Sequence, residues 1–417
     1  MAARALRRAR PRARPALDRP GRRELETPVT FAAIPGTIER LLTGSTAGTT
    51  LPLDALASTA YRILFVYLDA FAWRFVERHA GHPLLARARN DGVLLQLASQ
   101  FPSTTTAHTT TLHSGLPVGI HGVYEWHILE PSLNRLITPL RFSFAGDNGR
   151  ETLRSSGLAP EAVFPAETLH ERLATAGVRS VACVPAPIAT STTNRALLRG
   201  AAIVPFTDER TAFARAGALL ASADRAYASV YLPTLDALMH RVGPDAPAAD
   251  AELLRLLWLV HEGIERVPPG TLVLLGADHG MEPISPERTV YVNRLWLELE
   301  RLLRRGADGK PLAPAGSCRD LFLHVEPQHV RDVVDGLAER LSGVSDVVET
   351  RTLVDDGAFG DELSDAFLGR LAEVVVLPHA GEAVWWLEPG RFEQTYFGQH
   401  GGRSPNETEI PLLALAV

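Results

Sequence analysis

Runs of almost uniformly apolar residues, each of strand length, recur along this chain and are separated by stretches of helical periodicity. RILFVYL (62–68), VLLQLAS (93–99), VRSVACVPA (178–186), ASVYLP (228–233) and GTLVLLGAD (270–278) are such runs. A strand that is apolar on both faces must be covered on both, which is the condition of a central parallel strand. Between them, AFAWRFVERHA (70–80), AETLHERLATAG (166–177) and AADAELLRLLWLVHEGIERV (248–267) carry helical patterning. This alternation predicts an α/β fold, a largely parallel sheet with helices on both faces. From about Val290 to Val376 the pattern changes. LWLELERLLRR, LFLHVEP, VRDVVDGLAERL and VVET there read as a smaller α+β insertion, placed at 296–375. EAVWWLE (382–388) and PLLALAV (411–417) read as returning strands. Residues 1–58, rich in Pro, Gly and Thr with one helix near Ile38–Leu42, read as a tail or loose wrap, leaving 59–417 as the main domain.

Bulk composition narrows the functional classes. With 46% hydrophobic and 22% charged residues among 417, the chain can build a large core without staples. Its two cysteines, Cys183 and Cys318, form no CxxC pair, which fits a reducing compartment. No run reaches the roughly 18 apolar residues of a membrane span. The first 24 residues hold nine arginines but no apolar segment, so they do not form a secretory signal; a cytoplasmic protein is expected. Lys310 is the sole lysine, a bias that points to a GC-rich, bacterial genome. The body of the chain is acidic, which argues against a broad nucleic-acid-binding face. An anionic substrate must then be held locally, and metal is the obvious means.

Five short motifs supply the parts. Asp69 follows the first strand run directly, where polar residues at strand ends face a ligand crevice. FPSTTTAHTTTLHSG places Thr104 to Thr106 before a helix, whose N-terminus favours an anion. Asp236 and His240, four apart in TLDALMH, share one helix face. GADHGM sets Asp278 and His279 at a strand-to-loop kink, with Gly280 permitting close approach. His400 lies among glycines in GQHGG. Each has an ordinary alternative, such as a helix cap for Asp69, an ion pair for Asp236 and His240, or a structural role for His400. Taken together and in order, they are the ligand inventory of two divalent metals beside an oxygen nucleophile.

These motifs resemble the alkaline phosphatase superfamily, and most closely its type I phosphodiesterase/nucleotide pyrophosphatase branch. FPSTTTAHTTTLHSGLPVGIHGV resembles that branch's nucleophile segment, DALMH its DxxxH, GADHGM its DHGM, and GQHGGRSPNETEIPLLAL its closing HGG segment. The resemblance runs from about Tyr61 to Val417 and is loose over roughly 296–375. It implies an alkaline-phosphatase-like three-layer α/β/α domain with a smaller α+β insertion. Thr105 would be the nucleophile. One metal would be held by Asp236, His240 and His400, the other by Asp69, Thr105, Asp278 and His279. Zn²⁺ suits this ligand set best, with Mn²⁺ possible. The expected activity is hydrolysis of a small phosphate ester or nucleotide through a phosphothreonine, with no membrane partner and an unspecified oligomeric state. The same superfamily offers phosphomonoesterase, phosphonate hydrolase and phosphomutase activities as alternatives, and a non-catalytic metal-binding protein is a further one. The family's Asn about twenty residues after the nucleophile is replaced here by Trp126 and His127, and His127 is the candidate substitute donor to the phosphoryl group. Sulfatases of the superfamily use a CxPxR cysteine; Cys183 begins CVPAP, which lacks the arginine and reads as a buried strand thiol.

Overall fold

The computed structural model describes residues 29–45, 48–53, 56 and 61–417. The arginine-rich start, expected to be a tail, lies outside the described residues. A seven-stranded sheet forms the centre. Its strands are β1 (Arg62–Leu68), β2 (Val93–Ala98), β3 (Arg179–Pro185), β4 (Ala202–Phe206), β5 (Ala226–Leu232), β6 (Thr271–Gly276) and β7 (Glu409–Ala416). They lie in the order β2-β7-β6-β1-β5-β3-β4. β1 pairs in parallel with β5 and β6, and β3 with β4 and β5; only β7 runs against its neighbours β2 and β6. Ile63 to Leu68 of β1 are all buried, as the unbroken apolar run predicts.

Helices cover the two faces as separate sets. α1 (Ala33–Thr43), α2 (Thr105–Ser114) and α3 (Leu169–Thr175) pack on one another, while α4 (Glu209–Ala221) and α5 (Thr234–Val242) pack on α6 (Pro247–Ile264). The α/β architecture read from the alternation is therefore present. The stretch before residue 58 is more than a loose wrap. Phe31, Ile34, Ile38, Leu42, Leu51 and Leu53 are all buried in the main core. α2 is unusual in being buried although rich in threonine. Thr110 and Ser114 satisfy their hydroxyls by donating to the carbonyls of Thr106 and Thr110, 2.8 and 2.7 Å away.

A second core holds the changed region. Strands Ala315–Ser317, Asp320–Leu323, Val374–Pro378 and Ser345–Glu349 form an antiparallel sheet in that spatial order, with helix Val330–Arg340 packed on it. Phe101, Tyr124 and Ile137 join Phe322, Phe367 and Trp385 in this core, so it extends beyond 296–375 in both directions. EAVWWLE does not return to the main sheet. Val384 and Trp385 pair in parallel with Val290 and Tyr291, and Glu388 bridges Phe392, because the tryptophans are buried in the second core instead. Cys183 in β3 and Cys318 are free and buried. Among the described residues no helix is long and apolar enough to cross a membrane.

A buried ion pair ties the two cores together. Arg319, in the turn between Ala315–Ser317 and Asp320–Leu323, donates Nε and Nη2 to the two oxygens of Glu407 at 3.0 and 2.9 Å. Its remaining nitrogen donates to the carbonyls of His379 and Glu382. Glu407 also accepts from the backbone N–H groups of Gly402 and Ser404, so no oxygen of the pair is left unbonded. Both side chains are fully buried. Arg319→Ala strands the carboxylate and should cost about 3–5 kcal/mol in chemical denaturation. A loss below about 1 kcal/mol, the scale of an exposed pair, would show that the pair does not join the cores.

Candidate metal centre

Parallel strands end on a common rim, and four of the five motifs follow strands that end there. Asp69 follows β1, Thr105 opens α2 after β2, Asp236 lies in the first turn of α5 after β5, and Asp278 stands two residues beyond β6. β7 runs the other way, so its beginning lies on this same rim, and the loop before it carries His400. The tight turns need their glycines. A Cβ on Gly280 would stand 2.0 Å from the carbonyl oxygen of Asn406, and Gly401 holds φ at +122°. Ala70 takes a left-handed conformation (φ 63°), which points its N–H at Asp278 Oδ1, 3.2 Å away.

The seven predicted nucleophile and ligand residues meet. Thr105 Oγ1 lies 3.0 Å from His279 Nε2 and 3.5 Å from Asp69 Oδ1. His279 Nε2 is 3.2 Å from Asp278 Oδ2 and 3.5 Å from Asp69 Oδ1. Asp236 Oδ1 lies 3.4 Å from His240 Nε2 and 3.8 Å from His400 Nε2. Two ligand groups result, Asp236–His240–His400 and Asp69–Asp236–His279, the atoms of each within 4.8 Å of one another. Asp236 belongs to both.

Each histidine is aimed by the same device. The Nδ1 atoms of His240, His279 and His400 lie 2.8, 2.8 and 3.1 Å from the carbonyl oxygens of Gly398, Gly280 and Ser103. A carbonyl only accepts, so Nδ1 carries the hydrogen and Nε2 is turned to the cluster, as a metal-ligating imidazole requires. The carboxylates are aimed by tyrosines. Tyr67 Oη donates to Asp278 Oδ2 at 2.8 Å and Tyr231 Oη to Asp69 Oδ2 at 2.5 Å. These two tyrosines are direct neighbours across β1 and β5. Sequence reading missed them, although the repeated V-Y-L at the ends of FVYLD and SVYLP was the available signal.

Electrostatics at the cluster favour positive charge. Burial, then the neighbouring Asp278 and Asp236, push the Asp69 carboxyl well above its usual range. Burial opposes ionisation of Asp278 too, but His279 beside it holds it well below the carboxylate range. Burial opposes a charged imidazole at His279, yet Asp278, with Asp69 and Asp236 behind it, pushes it up to about 10. His400 goes the other way, lowered by burial and by the His279 and His240 rings. Without cations, then, the converging carboxylates favour a protonated His279 and oppose full ionisation of Asp69. Asp236 Oδ1 is buried with no hydrogen-bond partner, an acceptor left for a ligand other than a proton donor. Three carboxylates, three aimed imidazoles and one orphaned oxygen fit divalent metals well.

One expected residue, His127, is not among these two ligand groups. His127 bonds Thr138 Oγ1 through Nδ1 at 2.9 Å and packs its ring between Trp385 and Phe392 in the second core. Its backbone pairs with Gly316, and these contacts give His127 a packing role in place of the expected contact with the phosphoryl group. Removing the Tyr231 hydroxyl (Tyr231→Phe) should weaken divalent-cation binding about 10–100-fold, measured by competition with a chromophoric chelator. Unchanged affinity would mean that Asp69 needs no aiming.

The family model described as type I phosphodiesterase / nucleotide pyrophosphatase matches residues 63–402. Among solved structures, an inactive threonine-to-alanine form of murine ectonucleotide pyrophosphatase/phosphodiesterase 5 in complex with AMP is similar. It shares 17% identity and a TM-score of 0.64 over 85% of this chain and 87% of that one. The human ectonucleotide pyrophosphatase/phosphodiesterase 5 shares 15% identity and a TM-score of 0.62 over 85% and 87% of the two chains. Likeness at such identity speaks for the fold. No curated protein sequence matches the chain. With its family model matched over most of its length and its motifs gathered at one rim, the chain belongs to the type I phosphodiesterase/nucleotide pyrophosphatase family.

Proposed function

We propose that this protein hydrolyses phosphate diesters or nucleotide pyrophosphate bonds at a two-metal centre, through a covalent phosphothreonine at Thr105. The observation that carries this reading is the Thr105 hydroxyl, set within 3.5 Å of His279 Nε2 and Asp69 Oδ1 at the closed end of the cluster. Asp236, His240 and His400 would hold one cation, and Asp69, Thr105, Asp278 and His279 the other, with Asp236 within reach of both groups. Zn²⁺ suits the mixed imidazole and carboxylate set best, and Mn²⁺ is the second choice. When bound, the cations supply lowered oxygen pKa values and charge neutralisation at the phosphoryl group.

The chain's own groups order the rest. Thr105 Oγ attacks phosphorus, its proton leaves to solvent, and the P–O bond to the leaving group breaks as the O–P bond to threonine forms. N–H groups at the start of α2, which the helix itself leaves unpaired, are available to non-bridging oxygens in place of the family's Asn. Water then attacks from the vacated side and frees Thr105. That side is the open one. The side chains of Asp236, His240 and His400 are 12–18% exposed, while those of Asp69, Asp278 and His279 are at most 2% exposed. A nucleotide substrate is supported by the AMP bound to the murine relative. A cytoplasmic location is part of the proposal and fits the two free, buried thiols.

Thr105→Ala should lower kcat/KM by at least about a thousandfold while the protein keeps its metal. The test is hydrolysis of bis(p-nitrophenyl) phosphate, p-nitrophenyl phosphate and a p-nitrophenyl phosphonate, with elemental analysis of the same samples. Equal turnover by wild type and variant would remove Thr105 from the mechanism, and a preference for the monoester would favour a phosphomonoesterase. Acidity should act through the metal. A cation must displace the proton held on His279, whose imidazole is pushed up to about 10, so affinity falls as pH falls below that value. The slope should approach tenfold per pH unit for each proton expelled, roughly. Calorimetric zinc titrations in buffers of different ionisation enthalpy read the proton release directly; binding without release would contradict this assignment.

A further inference from the structure

Two carboxyls that belong to none of the groups above are completely buried against the His400 loop. Glu125 precedes strand Ile128–Glu130, and Asp320 begins Asp320–Leu323 of the second core. They converge on Gly401. A Cβ there would stand 2.7 Å from Asp320 Oδ1 and 3.1 Å from Glu125 Oε1, so the missing side chain makes room for both. Glu125 Oε2 accepts from the Trp126 N–H, and the nearby Thr104 side chain favours the ionised form of this carboxyl. Asp320 Oδ1 accepts from Ser317 N–H and Oγ–H at 3.1 and 2.6 Å. Glu125 Oε1 and Asp320 Oδ2 are left buried with no partner.

Among the described residues no cation pairs with either of the two. Arg319 is the adjacent base, and its donors are committed to Glu407 and to the carbonyls of His379 and Glu382. The other ionisable groups acting on them are Tyr124, Cys318, Glu407 and, more remotely, His279. Two fully buried carboxylates side by side would repel with nothing to offset them, whereas one proton between them removes both the repulsion and the unpaired oxygens. The same physics shows in their acidity. Burial pushes Glu125 up to about 8, and burial together with Glu125 raises Asp320 well above its ordinary value.

We propose that Glu125 and Asp320 share a single proton, and that this link positions the His400 loop against the start of the nucleophile helix. Both ends of the link reach the centre. Thr104, whose side chain acts on Glu125, immediately precedes Thr105, and Ser317 Oγ, bonded to Asp320, lies 3.1 Å from the carbonyl oxygen of His400. Glu125 and Asp320 are thus positioning residues that touch neither substrate nor metal. The effect on catalysis rests on the metal-centre reading; the shared proton does not.

The test compares Glu125→Gln with Glu125→Ala in the intact, zinc-loaded protein. An amide replaces the acid's donor, so Glu125→Gln should keep zinc affinity and kcat within about threefold of wild type, whereas Glu125→Ala should weaken zinc binding about 10–100-fold. Infrared difference spectra of wild type against Glu125→Gln should show the carbonyl stretch of a protonated carboxylic acid in wild type alone. Absence of that band, or equal damage from the two substitutions, would overturn the proposal. Should Glu125→Ala fail to fold, the band and the Gln variant still decide. Should wild type hydrolyse no ester, the band and the zinc affinity remain readable, so failure of the activity and failure of the shared proton are told apart.

Discussion

Three carboxylates brought together out of water repel one another, and much of this molecule is arranged around that fact. Asp69, Asp236 and Asp278 arrive at one rim because β1, β5 and β6 are adjacent parallel strands that end at one level. Burying uncompensated charge costs several kcal/mol per ion, so such a cluster persists only with donors and counter-charge. The chain supplies tyrosine hydroxyls, the Ala70 N–H and an imidazole at the deep end. It leaves Asp236 Oδ1 bare. In the proposed two-metal reading, divalent cations would complete that balance, and the Thr105 hydroxyl would be the oxygen nucleophile they act on.

The second core bears on the same site through backbone and buried charge rather than through side chains at the reacting centre. Arg319 grips Glu407, which caps the turn after the HGG segment, and Ser317 approaches the carbonyl of His400. Gly401 and Gly402 allow these groups to press against the loop, since a Cβ at either would meet polar atoms of Ser317, Asp320 or Glu407 at under 3 Å. The loop that carries His400 is therefore fixed from the side of the insertion. A histidine on a glycine-rich segment is thereby held in place by groups packed around its loop.

What could be read from the sequence was what depends on local chemistry. Asp69, Thr105, Asp236, Asp278, His279 and His400 stand at a strand end, helix start or glycine turn, His240 lies one helical turn beyond Asp236, and the structure gathers all seven. Residues whose role depends on register were harder. Tyr67 and Tyr231 matter because they pair across β1 and β5, and Glu125 because it meets Asp320 about two hundred residues away. His127 failed for the converse reason. Its position after the nucleophile segment matched the family's Asn, but its pairing with Gly316 commits it to the second core. Among elements, EAVWWLE looked like a strand of the main sheet because burial in any core gives the same apolar signal. β4 was passed over because its short run, AIVPF, contains Pro205 and, at the sheet edge, is only partly buried.

Anomalous diffraction from crystals of the zinc-loaded protein, recorded on both sides of the zinc absorption edge, addresses the metal centre without reliance on any substrate. Two zinc peaks per chain are expected, one among Asp236, His240 and His400 and the other among Asp69, Asp278, His279 and Thr105. A chain with no zinc at these side chains, or with zinc bound only elsewhere, would contradict the two-metal assignment and the mechanism built on it.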